Sequence, residues 1–290
     1  MSTQRERVVV TGGVGFIGSH LCRALEEQFE VLNVDIQTGI DILNTNKLKK
    51  LFSNIKFVFH AAALPRVQYS LEHPEETHKI NVQGTLSVLV AAKDARVGRV
   101  IYSASSAAYG DQDTMPLREN MPAQPKSPYG LQKYVGELYC RLFSEVYGLS
   151  TVSLRYFNVY GPGASSEGAY ALVIAKFIQQ RLDGMPMTIT GDGTQTRDFT
   201  HVQDVVRANL LAATSSSVGN GEVINIGAGR NASVNRVAEL IGGPVEHIPP
   251  RLEPHDTLAD NAKAKELLGW EPIVSLEDGI AELKQLHGLT

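Results

Sequence analysis

The chain has 290 residues, and 43% of them are hydrophobic, so it can bury one large core or two unequal ones. A net charge of −4 without a basic stripe argues against a nucleic-acid partner, and no apolar run is long enough to predict a membrane span or a secretory signal. Two cysteines form no disulfide framework and eight histidines show no metal-ligand spacing, so we expect a cytoplasmic protein without a metal site.

Through the first half of the chain, short apolar runs alternate with amphipathic stretches. Strands are predicted at 8–10, 31–34, 56–60, 99–103 and 151–156, and helices at 19–28, 77–95 and 129–147. This alternation is typical of βαβ units. It predicts an α/β fold with a doubly wound parallel sheet of the Rossmann type.

After residue 157 the pattern changes, because glycines and prolines separate shorter segments. Strands are predicted at 187–190 and 222–226, and helices at 201–213 and 261–268. We expect a smaller C-terminal α/β lobe, built from about 160–195 and 240–290, at the carboxyl edge of a sheet domain formed by 1–159 and about 196–239. Open α/β sheets bind their ligands at that edge.

A glycine-rich loop joins the first predicted strand to the first predicted helix. Gly12, Gly15 and Gly18 permit, in turn, a tight bend, close backbone approach to a pyrophosphate and packing of helix on strand. The helix N-terminus at Phe16 and Ile17 directs unpaired N–H groups at the phosphates. The loop therefore predicts a bound dinucleotide.

Asp35 ends the second predicted strand, 17 residues after Gly18. A carboxylate there accepts hydrogen bonds from the adenosine ribose and repels a 2′-phosphate, which favours NAD over NADP. The alternative is an aspartate that only caps a turn or helix.

Tyr129 and Lys133 are spaced i, i+4 at the start of a long predicted helix, so both lie on one face. A free tyrosine has a pKa of about 10, and lowering it by about three units takes roughly 4 kcal/mol, which an ammonium and a cofactor cation can supply. Tyr129 would then act as a general base. Ser103, Ser105 and Ser106, at the end of the fourth predicted strand, can bond a substrate alcohol and relay its proton, or merely cap a turn.

Together these motifs resemble the extended short-chain dehydrogenase/reductases that act on nucleotide-sugars, and within them the UDP-hexose 4-epimerases. Further matching motifs are His60-Ala61-Ala62-Ala63, Asn81 with Gly84-Thr85, Leu154-Arg155-Tyr156-Phe157-Asn158, Arg197-Asp198-Phe199, Asn225-Ile226-Gly227 and Leu268-Gly269-Trp270. The resemblance spans nearly the whole chain. It implies resident NAD, a UDP-sugar substrate and a homodimer formed by helices 77–95 and 129–147.

The resemblance also implies roles for single residues. Ser105, Tyr129 and Lys133 match the catalytic positions. Positions beside the cofactor are matched by Asp41, Ile42, Ala62, Ala63, Asn81, Ser103 and Phe157. Substrate positions are matched by Ser106, by Asn158, Arg197 and Arg251 at the diphosphate, by Thr188 and Thr190 at the uracil, and by Thr257 near C2 of the sugar.

The residue two positions before Tyr109 indicates which type of reaction to expect. Dehydratases and decarboxylases resembling this chain carry Glu two residues before that tyrosine, where this chain has Ala107, so epimerisation is favoured. In the expected mechanism Tyr129 takes the C4 hydroxyl proton while NAD takes the hydride, and the 4-keto sugar turns before the hydride returns to its other face.

Several alternatives stay open. A dehydratase, a decarboxylase, a reductase and a UDP-glucuronate 4-epimerase belong to the same family, and a non-catalytic cofactor sensor shares its fold. Because threonine at Thr257 leaves room that a tyrosine would fill, we expect both UDP-glucose/UDP-galactose and UDP-GlcNAc/UDP-GalNAc to be substrates.

Overall fold

The structure is a computed structural model that describes residues 5–166, 172–249 and 256–289. Its strands are β1 Arg7–Thr11, β2 Glu30–Val34, β3 Ile55–His60, β4 Arg99–Ser105, β5 Thr151–Tyr156, β6 Val159–Tyr160, β7 Met187–Thr190, β8 Thr196–Asp198, β9 Thr200–His201, β10 Asn220–Ile226, β11 Asn231–Ser233 and β12 Val245–Ile248. Its helices are α1 Phe16–Leu25, α2 Thr45–Leu51, α3 Val67–Glu72, α4 Pro74–His78, α5 Thr85–Asp94, α6 Pro128–Tyr147, α7 Val173–Leu182, α8 Val202–Thr214, α9 Val234–Ile241, α10 Ala262–Leu268 and α11 Leu276–Leu286.

Six strands form one parallel sheet in the order β2-β1-β3-β4-β5-β10. The strand order reverses direction between β1 and β3, so the carboxyl ends of these two strands border a crevice in which α/β proteins bind ligands. The predicted Rossmann-type sheet is confirmed.

The sheet is buried on both faces, as its apolar strands require. Val8 and Val10 of β1 pack with α1 and α8 on one face, whereas Val9 packs with α2, α5 and α6 on the other. Strand side chains alternate between faces, so a single apolar run supplies both cores.

A separate core lies in the C-terminal lobe. It is formed by Phe177 of α7, Ile189 of β7, Val237 of α9 and Ile280 of α11, with their neighbours. The segments of α7, α9 and α11 were not predicted to be helical. These helices have only 8 to 11 residues, and short helices depend on tertiary packing for their stability.

Two segments pack differently from the predicted domain division. Helix α9, which was assigned to the sheet domain, belongs to the core of the lobe, and α10, which was assigned to the lobe, packs on the sheet core through Leu268. Trp270 follows α10 and is fully buried there, with its indole N–H donating to the Asp204 carbonyl at 2.9 Å. The chain therefore crosses between the two cores more often than the sequence indicated.

The helix predicted over 77–95 is interrupted. Helix α4 ends at His78, a π-helical turn spans Lys79–Gly84, and α5 continues from Thr85. Such turns often occur at functional sites, and this one places Asn81 at the carboxyl edge of the sheet. None of the helices in the described ranges combines the length and apolar character that a membrane crossing requires.

Trp270→Ala is expected to lower the free energy of unfolding by about 3–5 kcal/mol, because it empties a large site in the sheet core and removes a buried hydrogen bond. Ile273, three residues on, is 74% exposed, so Ile273→Ala should cost almost nothing. Urea unfolding of both variants measures this. Equal losses would show that the 262–274 segment does not anchor on the sheet core.

Candidate active site

Backbone atoms leave no room for a side chain at two positions of the glycine loop. Gly12 has a φ of +71°, and a Cβ there would lie 2.7 Å from the backbone of Ala62 at the end of the neighbouring strand. A Cβ on Gly18 would overlap the carbonyl oxygen of Gly12. The loop therefore passes directly into α1, whose first turn, from Phe16, has backbone N–H groups without intrahelical acceptors. This geometry fits the pyrophosphate of a dinucleotide.

Asp35 lies beside this loop and is 8% exposed. Its two carboxylate oxygens accept the N–H of Val14 at 3.1 Å and the N–H of Gln37 at 2.9 Å. It therefore caps a short 3₁₀ turn, as the alternative interpretation proposed, and also ties the glycine loop to β2. A carboxylate can accept about four hydrogen bonds, so this arrangement is compatible with ribose binding.

The predicted cofactor residues at the end of β3 are held by Asn81. Asn81 is 1% exposed, and its side chain accepts the Leu64 N–H at 2.8 Å, donates to the Leu64 carbonyl at 3.1 Å and donates to Gln132 Oε1 at 2.9 Å. Ala62 N–H donates to Thr11 Oγ1 at 3.2 Å, and Ala63 follows it. In this structure Asn81 thus orders the loop that carries the alanines.

Three other predicted cofactor residues differ in exposure. Asp41 is half-buried and caps its own turn by accepting the Leu43 N–H at 2.8 Å, whereas Ile42 packs in the sheet core. Phe157 is fully buried beside Tyr109. The side chains of Ile42 and Phe157 therefore support the site from behind.

The three predicted catalytic residues come together at the carboxyl edge of the sheet. Ser127 caps α6 by accepting the Gly130 N–H at 3.1 Å, which places Tyr129 in the first turn. Tyr129 is buried and lies beside Ser105, at the end of β4, whose hydroxyl acts on the pKa of Tyr129. Lys133, 4% exposed, donates from Nζ to the Ser103 carbonyl at 2.8 Å.

Burial dominates the electrostatics of this group. Burial raises the pKa of Tyr129, an effect that the neighbouring Ser105 hydroxyl partly opposes. Burial also lowers the pKa of Lys133 to about 8. The predicted lowering of the pKa of Tyr129 requires a cofactor cation as well as Lys133. In the chain by itself burial outweighs it, because the Lys133 ammonium donates to the Ser103 carbonyl and desolvation penalises the phenolate.

Two predicted substrate residues, 99 positions apart in the chain, are in direct contact. Asn158, whose φ is +28°, donates from Nδ2 to Thr257 Oγ1 at 3.3 Å and to the Asp198 carbonyl at 3.0 Å. Thr257 Oγ1 also accepts the Asp198 N–H at 3.2 Å. Arg197 precedes Asp198 in β8 and donates from Nη1 to the Thr196 carbonyl at 3.0 Å.

The other predicted substrate residues are spread more widely. Ser106 lies in the 3₁₀ turn after β4, next to Ser105. Thr188 and Thr190 are half-buried on β7, and Thr188 is held by the side chain of Gln180 at 3.0 Å. Arg251 lies outside the described residues.

Asp198 is an important residue that the sequence reasoning missed. Its fully buried carboxylate accepts the N–H groups of Ala228 at 2.6 Å, Gly229 at 3.0 Å and Ala259 at 3.0 Å. These bonds join β8 to the loop after β10 and to the segment that carries Thr257. The sequence feature that could have revealed this role is the position of Asp198 in the Arg197-Asp198-Phe199 motif, where the apolar neighbour Phe199 indicates burial.

Within 5–166, 172–249 and 256–289, no cluster of three or more His, Cys, Asp or Glu side chains could hold a metal ion. The sheet, the glycine loop with Asp35 and the Tyr129–Lys133 pair with Ser105 define a dinucleotide-dependent enzyme of the short-chain dehydrogenase/reductase type. The chain belongs to the NAD dependent epimerase/dehydratase family, whose model matches residues 8–227. NAD, the predicted cofactor, is the cofactor of this family.

Relatives match along almost the entire chain. The putative UDP-glucose 4-epimerase of Methanocaldococcus jannaschii is 37% identical over 94% of this chain and 95% of its own. Among solved structures, the UDP-glucose 4-epimerase of Thermotoga maritima with UDP-glucose has 37% identity and a TM-score of 0.90, covering 97% of this chain and 99% of that one. The UDP-N-acetylglucosamine 4-epimerase of Methanobrevibacter ruminantium, in complex with UDP-N-acetylmuramic acid, has 33% identity and a TM-score of 0.90, covering 98% and 100%.

Asp198→Asn is expected to lower the free energy of unfolding by about 1–3 kcal/mol, because an amide cannot accept hydrogen bonds at both of its ends. Burial raises the pKa of Asp198 to about 6 from 3.8, so between these values the folded state binds more protons than the unfolded chain. The free energy of unfolding of the wild type should therefore exceed that of the variant by more at pH 5 than at pH 7.5.

Urea unfolding at both pH values measures this difference. Asp111→Asn, at a carboxylate whose side chain is 62% exposed, serves as the control and should change little. A loss for Asp198→Asn as small as that of the control would contradict the assigned role.

Proposed function

We propose that this protein is a UDP-hexose 4-epimerase, which inverts C4 of UDP-glucose and UDP-galactose and also of UDP-GlcNAc and UDP-GalNAc. The observation that carries the proposal is the buried Tyr129 beside Ser105, bordered by an alanine. The Ala107 carbonyl packs against Gly130, next to Tyr129, so this position adjoins the catalytic tyrosine. Where the similar dehydratases and decarboxylases carry a glutamate, this chain has only the methyl group of Ala107, so it lacks that acid for elimination or decarboxylation.

Each side chain has a defined part in this reaction. Tyr129 takes the proton of the C4 hydroxyl as a general base, and Ser105, beside Tyr129, donates a hydrogen bond to the same C4 oxygen and holds it in place. Lys133 contributes a positive charge one helical turn away, which favours the phenolate. NAD supplies a hydride acceptor that can also return the hydride.

Inversion requires the 4-keto sugar to turn while its UDP remains bound. Arg197 and Asn158 are proposed to hold the diphosphate, since a guanidinium recognises phosphate with two parallel hydrogen bonds. Their elements are joined by the Asn158–Asp198 and Asn158–Thr257 hydrogen bonds. Binding energy at the diphosphate thus keeps the 4-keto intermediate bound while its sugar turns.

The proposed substrate range depends on Thr257. Its hydroxyl accepts hydrogen bonds from Asn158 and Asp198, and its side chain is smaller than a tyrosine, which would exclude an N-acetyl group. The similarity to structures named as a UDP-glucose 4-epimerase and a UDP-N-acetylglucosamine 4-epimerase supports both substrate pairs.

We further propose a cytoplasmic homodimer with a cofactor-binding sheet domain and a UDP-sugar-binding lobe. Leu142 and Val146, one turn apart on α6, are 45% and 60% exposed, which supports an apolar contact surface on that helix. Cys22 and Cys140 are free thiols, as a reducing compartment favours.

Tyr129→Phe is expected to reduce turnover by about 10²–10⁴-fold, the usual contribution of a positioned general base, while bound NAD is retained. The assay incubates the enzyme with UDP-glucose, UDP-GlcNAc and UDP-glucuronate, and separates the products. Tyr147→Phe, at the exposed end of the same helix, should keep full activity. Products that have lost water or carbon dioxide would identify a dehydratase or decarboxylase, and full turnover by Tyr129→Phe would overturn the assignment.

Thr257→Tyr is expected to reduce kcat/KM for UDP-GlcNAc by about tenfold or more relative to UDP-glucose, because added bulk excludes the N-acetyl group. Thr257→Val removes the hydroxyl without adding volume, so it should affect both substrates alike. Competition assays with paired substrates measure the ratio. An unchanged ratio for Thr257→Tyr would show that this position does not limit space at C2.

A further inference from the structure

A buried ion pair lies in the core behind the active site, and the proposed reaction does not use it. Arg155 of β5 donates from Nε to Glu137 Oε1 at 2.8 Å and from Nη2 to Glu137 Oε2 at 2.6 Å. The two side chains are 4% and 2% exposed. Replacing such a pair with apolar residues is often neutral or stabilising, so stability alone gives little reason for its presence.

Glu137 has a particular position on α6. It follows Lys133 by one helical turn, as Lys133 follows Tyr129, so the three residues share one face of the helix. Arg155 anchors Glu137 from the sheet. The Glu137 carboxylate is thus fixed on the same helix face as Lys133, one turn further along from the catalytic tyrosine.

The other groups around Lys133 are neutral near pH 7. Burial holds the pKa of His60 on β3 at about 3, keeps the pKa of Tyr102 on β4 well above 10 and raises the pKa of Cys140 on α6 to about 12. Tyr129 is also neutral in the chain by itself, and the closest polar partner of Nζ is the Ser103 carbonyl. Among the residues that the structure describes, Glu137 is the carboxylate whose charge raises the pKa of Lys133.

We propose that Glu137, fixed by Arg155, is a positioning residue that keeps the buried ammonium of Lys133 charged beside Tyr129. The inference rests on the proposed function, in which that charge favours the phenolate. Arg155 completes the arrangement. Burial raises the pKa of Glu137, and Arg155 opposes this by stabilising the ionised carboxylate. A carboxylate neutralised by burial could not support Lys133.

Two substitutions separate charge from packing. Glu137→Gln and Glu137→Asp both break the two-point contact with Arg155, but only Glu137→Gln removes the charge. Glu145→Gln removes a carboxylate that is 61% exposed on the same helix and serves as the matched control. If Glu137→Gln folds poorly, the double substitution Glu137→Gln with Arg155→Met removes the unpaired guanidinium as well.

The readout is an NMR titration of the enzyme labelled with ¹³C at the lysine Cε atoms, in which Lys133→Met assigns the Lys133 signal. In the wild type, Lys133 should titrate near a pKa of about 8. Glu137→Gln, alone or with Arg155→Met, should lower the midpoint by about one pH unit or more, whereas Glu137→Asp and Glu145→Gln should leave it within a few tenths. The pH at which turnover falls on the alkaline side should move with the midpoint.

Equal shifts for Glu137→Gln and Glu137→Asp, or no shift for either, would overturn the proposal, since packing would then be the only role of Glu137. A shifted midpoint with an unchanged pH dependence of turnover would also overturn it, because the charge of Lys133 would not serve the reaction. The titration needs no substrate. Failure of the proposed function would instead appear as a wild type that is inactive on every UDP-sugar.

Discussion

The candidate active site depends on one buried contact, the hydrogen bond from Lys133 Nζ to the Ser103 carbonyl. An ammonium removed from water must find an acceptor, so this bond holds the start of α6 against the end of β4. Tyr129 and Ser105, the residues on either side of that junction, are brought together as a consequence. Burial disfavours the charged form of Lys133 and lowers its pKa to about 8. The negative charge of Glu137, on the next turn of the helix, acts against this lowering.

The lobe is joined to the sheet by a second buried charge. Asp198 gathers backbone N–H groups from two distant segments and thereby places Asn158 beside Thr257. A carboxylate suits this task because both of its oxygens only accept hydrogen bonds, whereas an amide must also donate. The proposed cofactor side and the proposed substrate side of the site are thus organised in the same way, by a buried charge that is paired with backbone groups.

The predictions succeeded best where one segment determines its own structure. The sheet strands alternate with helices and contain short apolar runs, so β1, β3 and β5 were predicted nearly to the residue. The short helices α7, α9 and α11 were missed because their amphipathic pattern covers few turns and their stability comes from the lobe core. The π-helical turn was missed because nothing local distinguishes it from the continuous helix predicted there.

The sequence by itself determined the class of fold, the glycine loop and the Tyr129–Lys133 pair, since these depend on spacing along a strand, a turn or one face of a helix. Which charges are buried, and what each one contacts, follows from the way distant segments pack together. Only the tertiary structure showed that Asn81 orders a loop, that Phe157 packs behind the site and that Asp198 joins segments about 30 and 60 residues away. The physical reason is that desolvation and hydrogen-bond pairing depend on neighbours that are distant in the chain.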